Sequence, residues 1–238
     1  MSDARWLVLR LTAPMMSFGA VAVDQVGPTA RWPGASLLTG LFANALGWDW
    51  NNRAAHQALQ DRLRFGAMEL RAGDLLTDQQ NARLYESEAM WTTRGVETRN
   101  EGKSYGNKEP EKQGGRKYLT HQRRRDYMAD ADYAVVLSLT LPDTAPTLDD
   151  LATALDLPAR PLFIGRKPCL PTRPIRAGEV LATSVHAALL ALERTGHRTA
   201  AWPEGEGPSG TRIVEVADRR VWSSGLHGGT RRLVEGTL

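Results

Sequence analysis

The chain has 238 residues, 42% of them hydrophobic, and carries 30 Lys plus Arg against 27 Asp plus Glu, for a formal net charge of +3. That suits one large or two small domains around a buried core, and it excludes disordered, collagen-like and disulfide-rich classes. The single cysteine, Cys169, leaves no internal disulfide and no multi-cysteine zinc site. With no charged-then-apolar leader and no run near eighteen apolar residues, a soluble cytoplasmic protein with no membrane contact is expected.

In chain order, residues 6–13 (WLVLRLTA) alternate apolar and polar side chains and read as a first strand. A long connection rich in turn residues follows. In 35–48, Leu38, Leu41, Phe42 and Ala45 recur at helical spacing, and 52–65 read as a second helix with Ala55, Leu59 and Leu63 at steps of four. FGAMELRAG (65–73) is a second strand. DYAVVLSLTL (132–141) is the strongest strand pattern, and 147–156 form a helix with Thr147 as cap and carboxylates in the first turn. PLFIG (161–165) is a short strand candidate, followed by a helix over 184–194 capped by Ser184 and possible strands in RIVEVAD and RRVWSS. Strand, helices, strand, insertion, strand, helix, strand is the order of a ferredoxin-like βαββαβ unit, the topology that also underlies RNA-recognition modules. The fold class expected is therefore α+β, ferredoxin-like (RRM-like), with an insertion between its second and third strands and an elaborated C-terminal part.

The distribution of charge is more informative than its sum. Residues 83–125 hold 11 basic residues against six glutamates, a net of +5, which leaves the rest of the chain slightly acidic. The stretch contains only Leu84, Val96 and Leu119 of the Leu, Ile and Val type, so it cannot make a core. Its middle, 100–115, is a Gly, Lys and Glu-rich loop, and its flanks read as extended arms that would pair into a projecting hairpin. Arg123, Arg124 and Arg125 are consecutive, and Tyr85, Trp91, Tyr105 and Tyr118 are interleaved among the charges. Guanidinium groups grip phosphate in bidentate fashion and aromatic faces stack on unpaired bases, so a nucleic-acid finger is expected. A solvated loop, or a scaffold for an acidic protein partner, would share this composition.

No histidine pair has metal-ligand spacing, and no Walker loop or GxGxxG is present, so neither metal nor cofactor is called for. Lys117, Tyr118 and His121 include the acid, base and cation that metal-independent RNA cleavage requires, although the same groups can simply grip RNA. In 161–175, a glycine precedes Arg166 and Lys167 and then Pro168, Pro171 and Pro174, giving either a rigid cationic loop for a sugar-phosphate backbone or a stiffened connector.

Four ordered motifs, LRLTAPMMSFG, GPTARWPGASLLTGLFANALGW, RRRDYMADADYAVVL and FIGRKPCLPTRPI, span residues 9–175. In that order and at those separations the chain resembles the CasD proteins, the type I-E form of the fifth Cas protein family within the RAMP superfamily. The resemblance implies a ferredoxin-like palm over 1–82 and 129–238 and an inserted β-hairpin thumb over 83–128. It also implies a non-catalytic subunit of the CRISPR Cascade complex that holds the repeat-derived 5′ handle of the crRNA. Its partners would be the CasC backbone and the large subunit CasA, and target DNA would be met through the assembled complex. Carried over residue by residue, it marks Met16, Ser17 and Phe18, Arg31 and Ser36, Arg166 and Lys167, and thumb residues Arg116, Lys117, His121, Arg123, Arg124 and Arg125 as handle contacts. In the related type I-C subtype the equivalent protein is an endoribonuclease that processes repeat RNA, whereas in type I-E a separate subunit, CasE, does so. Lys117, Tyr118 and His121 would carry that alternative.

Overall fold

The computed structural model describes residues 3–85, 90–91, 97–98, 111–113, 116–193, 195–208 and 212–238, and within 83–121 the backbone alone. The chain opens with β1 (Ala4–Thr12), followed by two short pieces, β2 (Met15–Met16) and β3 (Val26–Gly27), and then α1 (Ala35–Ala45) and α2 (Arg53–Arg62). β4 (Leu63–Arg71) and β5 (Asp74–Tyr85) lead into β6 (Met90–Trp91), β7 (Glu97–Thr98) and β8 (Glu111–Gln113). β9 (Arg116–Ala129) returns the chain to β10 (Asp132–Leu139), α3 (Leu148–Asp156) and β11 (Arg176–Ala182). The C-terminal part adds α4 (Val185–Leu190), β12 (Thr199–Pro203), β13 (Arg212–Val216), β14 (Arg220–Val221), β15 (Leu226–His227) and β16 (Arg231–Thr237).

Among the described residues the main sheet runs β11-β1-β10-β4-β12-β16-β13, with antiparallel neighbours throughout. β1 and β10 sit inside it, so both their faces are covered and their side chains divide by parity. Leu7, Leu9 and Leu11, with Tyr133, Val135 and Leu137, point toward the core shared with α1, α2 and α3. Trp6 and Val136, with Met68 and Trp202, point the other way, where Val185 and Leu189 of α4 cover them. Gly66 is required beneath α4, because a Cβ there would press on Val185 and the Ala201 carbonyl. No helix among the described residues is long and apolar enough to cross a membrane.

The expected strand at 161–165 does not form, and the next strand after α3 is β11. Ile164 N–H donates to Cys169 O (2.8 Å) and its carbonyl accepts from Ser17 N (3.3 Å), which folds the segment into a turn. Gly165, at φ +88°, is incompatible with a continuing strand. The helix expected over 184–194 ends at Leu190, and of RRVWSS only Arg220–Val221 pair as strand. Thr147 caps α3 as expected, in a capping box with Asp150.

The β10–α3 connection is organised by Arg62, the last residue of α2. It is buried, and its guanidinium donates to the carbonyls of Thr140 (3.1 Å), Leu141 (3.0 Å), Thr144 (2.6 Å) and Ala145 (3.3 Å). Burial holds its pKa below the usual arginine value, but the group stays charged at neutral pH. Removing it leaves several carbonyls unpaired, so Arg62→Ala should lower the unfolding free energy by about 2–4 kcal/mol. A urea midpoint matching the native chain would contradict this role.

Candidate nucleic-acid interface

A sheet of this order could offer its open face to single-stranded RNA, but here that face carries α4 over Trp6 and Trp202. The cationic residues gather instead where the exit of β1, the 161–175 loop and the base of a long hairpin meet. The hairpin is the antiparallel β5·β9 pair, in register from Asp74↔Ala129 to Tyr85↔Tyr118. It leaves the body at Gly73, where a Cβ would collide with Ala129 O and the Ala131 side chain. Met15–Met16 pair with Met128–Ala129, and Val26–Gly27 run parallel to Arg124–Arg125, so the hairpin's root is sewn to the loop after β1.

The Met16, Ser17 and Phe18 side chains face inward. Met16 is fully buried, Ser17 nearly so, and Phe18 packs edge-on against Tyr133 with ring centroids 5.0 Å apart. What this segment can present outward is backbone, and the apolar character of Met16 and Phe18 in MMSFG is the signal that points inward. Gly165 lies so close to Ser17 that a Cβ would overlap the Ser17 carbonyl oxygen.

Alternation along β9 places Arg123, Arg125 and Tyr127 on one face. Arg166 reaches that face from the glycine turn: its Nη1 donates to Asp126 O (3.0 Å), its Nη2 to Gly27 O (2.7 Å), and its guanidinium carbon sits 4.7 Å from the Tyr127 ring centre. Arg125 lies across Gly27, where a side chain would meet its guanidinium. Partial burial, and then the positive charges of Arg166 and Arg123, push the Arg125 pKa down, and among the described residues no carboxylate pairs with it. Arg123 Nη1 lies 3.5 Å from Asp24 O, and Arg124, on the opposite face, is 3.6 Å from Asp126 Oδ1. Lys167 is exposed beside Arg166.

Arg31 donates to Glu69 Oε2 at 2.9 Å and lies over the Trp32 ring. Glu69 is also approached by the Tyr133 hydroxyl, whose pKa burial pushes up. Arg31 is thus partly neutralised. Ser36 stands in the first turn of α1, where Asp218 accepts from Ala35 N (3.2 Å) through its carboxylate and from Ser36 N (2.9 Å) through its carbonyl. Arg231 holds that carboxylate at 2.7 Å.

The structure brings Ser17, Phe18, Ser36 and Arg166 to one cleft of about 320 Å3. A further wall is made by the β14–β15 hairpin through Arg220, Gly225, Leu226 and His227, which the sequence reading did not select. The signal available was the pair Arg219–Arg220 beside Trp222 and the glycines after His227. Arg116, Lys117, Tyr118 and His121 lie on β9, with Lys117 opposite Lys112 and His121 opposite Ala82, and their side chains fall outside the described residues. Most of the loop at 100–115 also lies outside them.

The sequence profile of the CRISPR-associated protein (Cas_Cas5) family matches residues 6–234. The CRISPR system Cascade subunit CasD of Escherichia coli (strain K12) is 28% identical over 191 residues, covering 80% of this chain and 78% of that protein. Among solved structures, a chain of a CRISPR RNA-guided surveillance complex superposes with a TM-score of 0.67 at 21% identity, covering 98% of this chain and 89% of the other. A crystal structure of a Cas protein gives a TM-score of 0.59 at 22% identity, covering 98% and 94%. At these identities the two structures speak to the fold.

The approach at Gly165 has no room for a methyl group, and its positive φ disfavours any other residue. Gly165→Ala should therefore cost about 2–4 kcal/mol in denaturant unfolding. An unchanged midpoint would mean that the loop does not rest on Ser17.

Proposed function

The chain belongs to the CRISPR-associated protein (Cas_Cas5) family, and on that footing we propose that it is a non-catalytic crRNA-binding subunit of a Cascade surveillance complex. In this reading β11-β1-β10-β4 with α1, α2 and α3 is a ferredoxin-like palm, and β5·β9 is the thumb. The repeat-derived 5′ handle lies at the thumb's root, the thumb and palm cap a CasC-type backbone, and a CasA-type subunit docks nearby. The particle works in the cytoplasm and meets target DNA as an assembly. The relatives' names supply the complex: one is a Cascade subunit, and one comes from an RNA-guided surveillance complex.

The observation that carries the RNA reading is the Arg123, Arg125 and Arg166 cluster beside a cleft. Arg166 is bonded to backbone carbonyls, which fix its position without cancelling its charge. Such a site suits an anionic ligand that threads past several cations, as a sugar-phosphate backbone does. The chain needs no catalytic group for this task, and the repeat-processing alternative through Lys117, Tyr118 and His121 is separated by direct assay.

Full-length protein should bind single-stranded RNA bearing the repeat-derived 5′ sequence in preference to a scrambled 5′ end. The slope of log affinity against log salt should be about −0.7 per phosphate engaged. Changing Arg123, Arg124 and Arg125 together to Ala should weaken binding on the order of 10- to 100-fold. Unchanged affinity in that variant would favour a protein-scaffold role. Repeat RNA incubated with the protein in EDTA should stay intact, and a discrete product lost in His121→Ala would make the chain a ribonuclease instead.

A further inference from the structure

The C-terminal β14–β15 hairpin is held in place by unusually many polar contacts for so small an element. On one side of α2, Arg53, Gln57, Gln60 and Asp61 fall at helical spacing and all contact it. The Gln60 amide donates to Arg220 O at 2.9 Å and accepts from Arg220 N at 3.0 Å. Gln57 Oε1 accepts from Trp222 N at 3.1 Å, Arg53 donates to Ser223 O at 2.7 Å, and Asp61 pairs with Arg219. Trp222 is further seated against buried His56, with ring centroids 4.5 Å apart.

The outer side of this clamped hairpin is exposed. Leu226 is 69% exposed, and Arg220 and His227 stand in solvent at the wall of the cleft opposite Arg166. Among the described residues no carboxylate pairs with the Arg220 side chain, which lies over the Trp222 ring at 5.1 Å. A side chain fixed through its own backbone and its neighbours, yet left with its charge unspent, is prepared for a ligand that has still to arrive.

The cleft does not end at His227. That residue, with Phe18, Gly19 and Ser36, is shared with a second hollow of about 320 Å3, walled mainly by Trp32, Val214, Val216 and Leu233, with Arg31, Asp218 and Glu235 reaching it while held by Glu69, Arg231 and Trp32. Two hollows of different chemistry therefore meet at one mouth. One is flanked by the guanidinium groups of Arg166 and Arg220, and the other is a mainly apolar slot lined by Val21. A single-stranded nucleotide has the same division, an anionic backbone and a flat apolar base, and each hollow is of the size of a small-ligand site.

From this juxtaposition we infer that the C-terminal hairpin closes the RNA site. Arg220 and Arg166 hold the backbone on either side of one nucleotide, and that nucleotide's unstacked base enters the apolar slot past His227. The inference rests on the RNA-binding reading and adds to it a particular residue, Arg220, and a particular event, the capture of one base.

The test uses full-length protein and a fluorescent single-stranded RNA of the repeat-derived 5′ sequence, alongside a series in which each base in turn is removed to leave an abasic sugar. With the native chain, one abasic position should weaken binding about tenfold while its neighbours change little. Arg220→Ala should weaken all members of the series about tenfold and make the salt slope shallower by about 0.7. Val21→Trp, which fills the slot from its lining, should bring the intact RNA down to the affinity of the sensitive abasic one. Arg232→Ala, an exposed change outside the cleft, serves as the charge control and should bind as the native chain does. If the intact RNA binds but Arg220→Ala matches the native chain, or no abasic position stands out, the inference is overturned and the RNA-binding reading survives. If the native chain binds no RNA, both fall.

Discussion

The Gly165 backbone rests against the Ser17 carbonyl with no room for a side chain between them, and the position of Arg166 in the cleft follows from that approach. The next residue, Arg166, is thereby delivered beneath the hairpin, where it bonds to Gly27 O and Asp126 O and covers the Tyr127 ring. Three segments remote in sequence are tied together: the exit of β1, the short β3 and the root of β9. The partners are backbone acceptors, and this matters for function. A carboxylate partner would have located the guanidinium equally well, but it would have cancelled the charge that makes the place attractive to an anion. Structural bonding and ligand electrostatics are thus separated in one side chain.

The same economy explains why the site lies at the ends of the central strands and not on the face of the sheet. β1 and β10 are buried on both sides, and a second core built on Trp6, Met68 and Trp202 closes beneath α4. A face filled with tryptophan and covered by a helix has no aromatic surface left for bases. The added strands β12, β16 and β13 extend the sheet beyond β4 and bring Asp218 to the start of α1. They also place the β14–β15 hairpin over the cleft. The C-terminal part is therefore structurally continuous with the site.

Much of this was legible from side-chain pattern. The alternation in WLVLRLT, the continuous apolar run of YAVVLSL and the capping sequence TLDD each encode their element locally, and the elements form close to those positions. The basic stretch announces a segment that cannot be core, and its side chains over 83–121 fall outside the described residues. PLFIG misled because its apolar residues do pack inward, with Ile164 fully buried, but they do so from a turn. Periodicity records burial and does not distinguish a short strand from a tucked loop. The strand at 176–182 was missed because RAGEVLA sits at an edge and contains Gly178 at φ +135° beside a register shift. Arg220 and His227 were illegible for a different reason. Their relation to Arg166 is made by α2, through Gln57 and Gln60, whose polar side chains look like ordinary helix surface in sequence.

The concentration of guanidinium groups has a thermodynamic side. Arg166 and Arg123 both push down the pKa of Arg125, after burial, so Arg125 is repelled by each of them. Arginine does not shed its proton near neutral pH, so this repulsion cannot be relieved by titration. It is relieved by counterions or by an anionic ligand. Anything that binds the folded chain and not the unfolded one stabilises it by mass action, so a polyanion in the cleft both gains its own contacts and removes a standing penalty. Salt acts on the two parts in opposite directions, because it screens the repulsion within the empty cluster and competes for the same positions in the filled one. The backbone bonds to Arg166 and the Gly165 approach are what keep the cluster assembled while it is empty. The close approach at Gly165 thus stands next to Arg166, whose hydrogen bonds go to backbone carbonyls.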